Sequence, residues 1–243
     1  MVPILPDSLR CVLIASFPAG PFQANCYLVA EAESATCVVI DPGMEAAAGM
    51  KRALEQYRLT PVAVVASHGH LDHVAEAALV ADTHDIPVHI HHDDRELLTD
   101  PSLAVSAQMM QLMLETMGST RLAEPRRVEE MVGGQRLELA GIGFDVLHAP
   151  GHTPGCVLLG AQTEEGPLTF TGDVLFAGSI GRTDLPRGSI ATMVRTLKNV
   201  VLGLDDASYI LPGHGPATQM AHERANNPYL QPDTLAQLME SDN

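Results

Sequence analysis

Tryptophan is absent from this 243-residue chain, and aromatic residues make up only 4% of it. Its core must therefore be packed by aliphatic side chains and by methionine, of which there are 11, rather than by large rings. Basic residues are scarce too. The chain has 14 Lys plus Arg against 30 Asp plus Glu, a formal net charge of -16. That balance argues against nucleic acid and anionic membranes as partners, since both need a basic footprint. No stretch of ~18 apolar residues occurs, so no membrane span is expected. The apolar stretch at 11–17 is too short and mixed for a leader peptide, and the chain reads as cytoplasmic. The four cysteines, Cys11, Cys26, Cys37 and Cys156, are far apart and form no CxxC pair. The first three sit in strand-like runs and read as small, reduced, buried hydrophobes.

What is present is a large apolar fraction, 46% of residues, enough for one sizeable core. The expected organisation is a single domain over 1–243, with a helical insertion near 93–127 and a short polar tail from 228. Short apolar runs at 10–17, 25–31 and 36–40 read as strands, followed by a helix over 44–57. Pro61 opens the next strand, then 72–81 reads as one Ala-rich helix and 86–90 as a strand. Within 93–127, a helical turn at 93–98 precedes Val105, Met109, Leu112, Met113, Thr116 and Met117 at helical spacing. That helix either buries one face against its own domain or forms a Met-lined lid over a pocket. Strands return at 136–139, 144–148, 156–159 and 168–171, then a helix at 190–202, a strand at 209–211 and a helix at 217–226. The tail from Pro228 reads as Pro-broken and frayed. Two blocks of antiparallel strands, each followed by helices, fit two sheets packed face to face with helical outer layers.

The richest stretch is Ser67-His68-Gly69-His70-Leu71-Asp72-His73, directly after the apolar run 62–66. A buried strand that runs out into a loop of histidines is a natural place for metal ligands. Later strand ends repeat the device: Pro150-Gly151-His152-Thr153-Pro154-Gly155, then Gly172-Asp173, then Pro212-Gly213-His214-Gly215. Together they offer five histidines and two aspartates. Seven donors exceed one tetrahedral zinc, which takes three protein ligands and a water in a catalytic site. They suit two cations that share a carboxylate, and imidazole with carboxylate accepts Zn²⁺, Fe or Mn²⁺. His68 and His70 are two apart, whereas Asp72 and His73 are adjacent and can face a different centre.

In this order the motifs resemble the metallo-β-lactamase fold hydrolases, and within them the glyoxalase II (hydroxyacylglutathione hydrolase-like) type of the compact bacterial branch. Asn25-Cys26-Tyr27, Asp41-Pro42-Gly43, the segment 176–182, Glu223-Arg224 and Asn227-Pro228 share the likeness. The resemblance implies an α/β (α+β) fold, a four-layer αββα sandwich with its site at one edge. It implies two divalent metal ions, zinc first and iron or manganese as alternatives. His68, His70 and His152 would hold one, Asp72, His73 and His214 the other, and Asp173 would bridge. Ser67, Asp41 and Thr153 would be outer hydrogen-bonding groups, with a plain turn or cap role as the alternative for each. The implied reaction is hydrolysis of S-2-hydroxyacyl thioesters, such as S-lactoylglutathione, by a metal-bridging hydroxide that Asp72 helps to orient. Arg182 would either grip a substrate carboxylate or pair with Asp184.

The longer glyoxalase II enzymes carry a C-terminal extension that grips glutathione, and this chain ends soon after Asn227-Pro228, which leaves the carrier thiol open. Two other readings compete. One is a persulfide dioxygenase of the same fold, with a single iron on His68, His152 and Asp173. The other is a non-catalytic metal-binding module. Outside the motifs, His84, His89, His91, His92 and His222 read as solvated surface histidines, and His148 as a strand-end contact. Cys156 reads as core, and Glu129-Glu130 and Glu164-Glu165 as turn or surface charge.

Overall fold

Side-chain alternation along the central strands sets the architecture. The structure of the chain is a computed structural model that describes residues 12–33 and 35–240, so the expected strand start at Arg10 and Cys11 lies outside it. Strand β1 (Leu13–Ala19) pairs with β2 (Ala24–Ala30). Along β2, Cys26, Leu28 and Ala30 enter one apolar core while Tyr27 and Val29 enter another. Successive strand residues face opposite sides, so a strand that buries both sets must lie between two layers.

The first sheet continues through β3 (Thr36–Ile40), β4 (Thr60–Val65), β5 (Val88–His91) and β6 (Val128–Met131) in that spatial order. The second contains β7 (Arg136–Leu139), β8 (Ile142–His148), β9 (Val157–Thr163) and β10 (Gly166–Gly172). A two-strand ribbon, β11 (Leu175–Phe176) and β12 (Ser179–Ile180), leads on to β13 (Tyr209–Pro212) and β14 (Thr218–Gln219). The second sheet has the order β14-β13-β10-β9-β8-β7.

Helix α1 (Ala46–Tyr57) buries Ala46, Met50, Ala53 and Tyr57, one stripe at helical spacing, on the outer face of the first sheet. Next come α2 (Leu71–Val74), α3 (Ala77–His84), which shares that outer layer, and α4 (Ala107–Met117). On the second sheet, α5 (Ile190–Asn199) places Met193, Val194 and Leu197 against Leu158 and Ile210. Ser189 caps α5 by accepting from the Thr192 N–H at 3.2 Å. After α6 (Met220–Asn226), α7 (Pro232–Glu240) adds Leu235 to the same core. Between the sheets Ile40, Val65, Phe144, Leu159 and Phe170 form the central core. The layers run helix, sheet, sheet, helix, as the sandwich expectation required.

Several expected elements differ. The helix expected over 72–81 is broken because the Glu76 N–H donates to the Pro42 carbonyl at 3.0 Å; Asp72 and His73 therefore sit on their own turn. The first sheet is mixed, not antiparallel: β3–β4, β4–β5 and β5–β6 are parallel because helical crossovers join them. Glu129 and Glu130 are exposed but lie on the edge strand β6, which their charge hides from sequence patterning. The first residues of the helix expected at 217–226 instead pair with β13 as β14. The tail is not frayed over its described length: Pro228 and Pro232 stand at helix starts, where a missing N–H costs nothing, and Leu230 and Leu235 are buried. In the 93–127 region, Val105 and Met113 pack against Leu71, while the side chains of Met109, Leu112, Thr116 and Met117 lie outside the described residues.

Phe170 is buried between the sheets, edge-on to Tyr27 at 5.2 Å and 6.4 Å from Phe144. Phe170→Ala is expected to lower the unfolding free energy by roughly 3–5 kcal/mol in urea titration. A loss under about 1 kcal/mol would mean that the inter-sheet core is not the main apolar support.

Candidate metal centre

The seven donors named from the sequence meet at strand ends. His68 and His70 occupy the loop after β4, and Asp72 and His73 lie on α2. His152 lies between β8 and β9, Asp173 just past β10 and His214 just past β13. Donor atoms of His68, His70 and His152 lie within 4.8 Å of one another, as do those of His68, His73 and Asp173, and those of Asp72, His73 and His214. His70 Nδ1 is 2.7 Å from His152 Nε2, and His73 Nε2 is 3.3 Å from His214 Nε2. Asp173 reaches both groups: Oδ1 is 3.3 Å from His73 Nε2, and Oδ2 is 3.4 Å from His152 Nε2 and 3.5 Å from His214 Nε2. Asp72 Oδ2 is 3.2 Å from His214 Nε2.

The separations of 3.2–3.5 Å match donors gathered around cations, whereas the 2.7 Å between His70 and His152 is that of a hydrogen bond. Tetrahedral donors about 2.1 Å from a zinc ion stand about 3.4 Å apart. His68 Nε2 is buried with no hydrogen-bond partner, as is His70 Nε2, a situation that costs about 1–3 kcal/mol for a polar group left so. A cation on the His68 lone pair removes that cost. The donor set therefore fits divalent metal.

Outer contacts fix the rings. The Asp41 carboxylate accepts from the Ser67 N–H (2.7 Å), from the Ser67 hydroxyl (2.6 Å) and from His73 Nδ1 (3.0 Å). His152 Nδ1 donates to the Arg182 carbonyl at 2.7 Å and His214 Nδ1 to the Phe22 carbonyl at 3.1 Å, which turns both Nε2 lone pairs inward. Gly43 lets the Asp41-Pro42-Gly43 turn lie against the ligand helix, since a Cβ there would fall 1.6 Å from the Asp72 carbonyl oxygen. Asn25 Nδ2 donates to the Pro212 and Gly215 carbonyls, and the Tyr27 hydroxyl to Pro212. These bonds carry the His214 loop across from one sheet to the other.

Charge is divided within the cluster. Burial, with His73 close by, holds His68 well below the usual imidazole range, and burial beside His152 drops His70 to about 3. Burial also opposes charge on His73, yet Asp173 and Asp72 outweigh it and raise His73 well above its usual value. For His214, burial is outweighed by its hydrogen bond with Asp72, again upward. Burial resists ionisation of Asp173 and Asp72, but His73 overcomes it and keeps both carboxylates low. Two imidazoles thus offer lone pairs, while His73 and His214 favour a proton where cationic charge is needed.

One bracing residue carried no signal in the sequence. Asp94, fully buried in the 3₁₀ turn His92–Leu98, accepts from the Gly69 N–H (2.9 Å), the Gly155 N–H (2.8 Å) and the Thr153 hydroxyl (2.5 Å). It ties the His68–His70 loop to the His152 loop. A lone Asp in an acidic turn reads as surface charge. Of the roles open to Arg182, the structure shows the pairing with Asp184, with both nitrogens at 2.7 Å from its carboxylate oxygens. His89 and His91 are buried, not solvated, because β5 is an interior strand; His84, His92 and His222 are exposed. His148 Nε2 donates to the Pro154 carbonyl at 2.8 Å, the expected strand-end contact. Cys26, Cys37 and Cys156 are buried free thiols, and Cys11 lies outside the described residues. Above the donors opens a cavity of about 440 Å³, walled by Phe22, Leu71, Val105, Phe176, Ile180 and Leu185.

An αββα sandwich with this histidine–aspartate cluster at its edge defines a class, and the chain belongs to the metallo-beta-lactamase superfamily, whose family model matches residues 19–214. An uncharacterized Mycobacterium tuberculosis protein is 40% identical over 224 residues, 90% of this chain and 98% of that protein. Hydroxyacylglutathione hydrolase GloC of Haemophilus influenzae is 35% identical over 218 residues, 89% of this chain and 97% of GloC. The crystal structure of BLEG-1 B3 metallo-beta-lactamase superposes with a TM-score of 0.78 at 32% identity, covering 90% of this chain and all of that one (100%). Among the described residues no helix is long and apolar enough to cross a membrane.

Asp94→Asn replaces an acceptor-only group with one that carries donors, and should weaken metal affinity roughly 10- to 100-fold in chelator competition while leaving far-UV circular dichroism unchanged. Unaltered affinity would remove Asp94 from the support of the centre. Since His73 lies well above the ordinary imidazole value and His214 is shifted the same way, both favour a proton that a cation must displace. Metal uptake should therefore release protons, tighten as pH rises, with the dependence extending above the ordinary imidazole range, and show a calorimetric enthalpy that varies with buffer ionisation heat. A buffer-independent enthalpy would contradict this charge assignment.

Proposed function

We propose that the chain is a metal-dependent hydrolase of S-2-hydroxyacyl thioesters, acting on S-lactoylglutathione or the conjugate of another small thiol. The observation that carries this reading is the seven-donor cluster, joined through Asp173, at the base of an apolar cavity. In this reading His68, His70 and His152 would hold one divalent cation, Asp72, His73 and His214 would hold a second, and Asp173 would serve both. Zinc is the first choice, and iron or manganese suits the same donors. When bound, the two cations supply hydroxide at neutral pH and polarise a carbonyl.

The chain's own groups do the rest. Asp72 lines the cavity in its ionised form and accepts a hydrogen bond from the attacking water, which sets its direction. Phe22, Val105 and Ile180 exclude bulk water and contact the apolar part of the substrate. The carboxylates at the cavity base, Asp72 and Asp173, are held ionised and have no proton to give. A thiol has a pKa of about 8.5 and departs as thiolate without a general acid, whereas an amide nitrogen needs a proton to leave. That difference favours a thioester over a β-lactam. The name of the GloC relative supports the same chemistry.

The test is metal analysis of purified protein together with three assays: S-lactoylglutathione hydrolysis, cephalosporin hydrolysis and oxygen uptake on glutathione persulfide. Two metals per chain and thioester turnover are expected, with losses of about 100-fold or more in His73→Ala and in Asp173→Asn. Full turnover in either variant, or cleavage of the cephalosporin alone, would overturn the proposal. One iron per chain with persulfide oxidation would point to the dioxygenase instead.

A further inference from the structure

The ribbon β11–β12 forms one side of the cavity, with Phe176, Ser179 and Ile180 in its lining. Each of its strands has two residues, and a hairpin of that size does not hold its shape alone. Its base is tied to the metal centre. The Thr171 hydroxyl donates to the Leu175 carbonyl at 2.7 Å, and His152 Nδ1 donates to the Arg182 carbonyl at 2.7 Å. Gly181 lies against the ligand backbone, since a Cβ there would fall 1.8 Å from the Asp173 carbonyl oxygen. None of these ties reaches the tip, the exposed residues Ala177 and Gly178.

Two buried side chains hold the tip. Glu223, on α6, is fully buried, and three neutral donors meet its oxygens: the Gly178 N–H at 2.8 Å, the Thr218 hydroxyl at 2.7 Å and Asn227 Nδ2 at 2.9 Å. Asn227, also fully buried, donates to the Ser179 carbonyl at 3.0 Å, with the Phe176 carbonyl at 3.3 Å. Its Oδ1 accepts from the Tyr229 N–H at 3.0 Å, which turns Nδ2 toward the ribbon. The bed beneath is anchored, because Met220 and Leu230 sit in the core of the second sheet on either side of the pair. Taking a carboxylate and an amide out of water costs free energy that hydrogen bonds must offset. Apolar side chains would fill the same space without that cost. The polar pair is explained by the backbone groups it engages on the ribbon.

We propose that Glu223 and Asn227 are positioning residues for substrate: they hold the ribbon tip and thereby set the wall that Phe176 and Ile180 present to the bound thioester. The role rests on thioester hydrolysis as the reaction. Because the base of the ribbon is tied separately, release of the tip moves the wall and leaves the metal donors in place. Substrate affinity therefore depends on the pair, whereas the rate of the bound complex does not.

The test compares Glu223→Met, which keeps the volume and loses the acceptors, with Glu223→Gln in metal-loaded, full-length protein. Glutamine keeps a carbonyl oxygen for Gly178 and Asn227 and turns its amide to the Thr218 hydroxyl, which can accept. For S-lactoylglutathione hydrolysis, KM should rise about tenfold in Glu223→Met with kcat within about twofold, while Glu223→Gln stays near wild type. Metal content should be the same in all three proteins. An unchanged KM in Glu223→Met, or an equal defect in Glu223→Gln, would overturn the proposal. Wild-type protein gives a reading that needs neither variant nor turnover. The Gly178 amide, although at an exposed tip, should exchange its hydrogen about 100-fold or more slower than an open chain, followed by NMR. Exchange at the open-chain rate would refute the hold on the tip. Absence of thioester turnover in the wild-type chain would overturn the reaction instead, and the Gly178 rate would still decide whether the tip is held.

Discussion

Asp173 is a buried carboxylate among imidazoles, and its solvation decides how the rest of the chain must be built. An ionised group removed from water is costly unless charge and hydrogen bonds replace the lost solvent. His73 supplies that replacement at 3.3 Å, and His152 and His214 approach the other oxygen. His73 is in turn held by Asp41, which also accepts from Ser67. Charge therefore alternates outward in shells, acid to imidazole to acid, and each shell needs a side chain from a different strand end.

The frame is rigid because both sheets contribute to each half of the cluster. Asn25 and Tyr27, on a strand of the first sheet, hold the His214 loop of the second. Asp94, which follows a strand of the first sheet, joins the His68–His70 loop to the His152 loop of the second. Glu223 and Asn227 brace the ribbon that lines the cavity: Glu223 accepts from the Gly178 N–H at 2.8 Å, and Asn227 donates to the Ser179 carbonyl at 3.0 Å. The inter-sheet core of aliphatic residues with Phe144 and Phe170 sets the distance at which these polar ties can close. In a chain with few rings, that spacing rests on a small number of large side chains.

The donors were legible in the sequence because each group of them follows an apolar strand, and all but Asp72 and His73 sit beside glycine, a local pattern that needs no knowledge of the partner. Their bracing groups were less so. Asp41 and Ser67 could equally be turn residues until the His73 contact is seen, and Asp94 resembles any acid in a charged turn. Such roles arise from chain crossings between residues far apart, for which one sequence holds no mark. The layered fold was legible from the alternation of strands and helices, but β6 was hidden by its two glutamates and α7 by the prolines that begin it. The burial of His89 and His91 was hidden too. A polar residue gives no periodic signal when β5 is covered on both faces, and this is why the two histidines read as surface.

Substrate choice in the proposed reaction follows from what surrounds the donors and not from the donors themselves. Arg182 is the one Arg or Lys lining the cavity among the described residues, and Asp184 already occupies its guanidinium with two bonds. The chain as a whole carries a net charge of -16. A thioester whose carrier bears several carboxylates would approach against that field and find its natural cation engaged. The apolar walls instead reward a compact acyl group with an uncharged face, and a carrier thiol that keeps its charges outside the cavity mouth. Selectivity on these grounds is set by the Arg182–Asp184 pair at the cavity and by Phe22 and Leu185 in its wall, whereas the histidine–aspartate cluster sets only the bond that is broken.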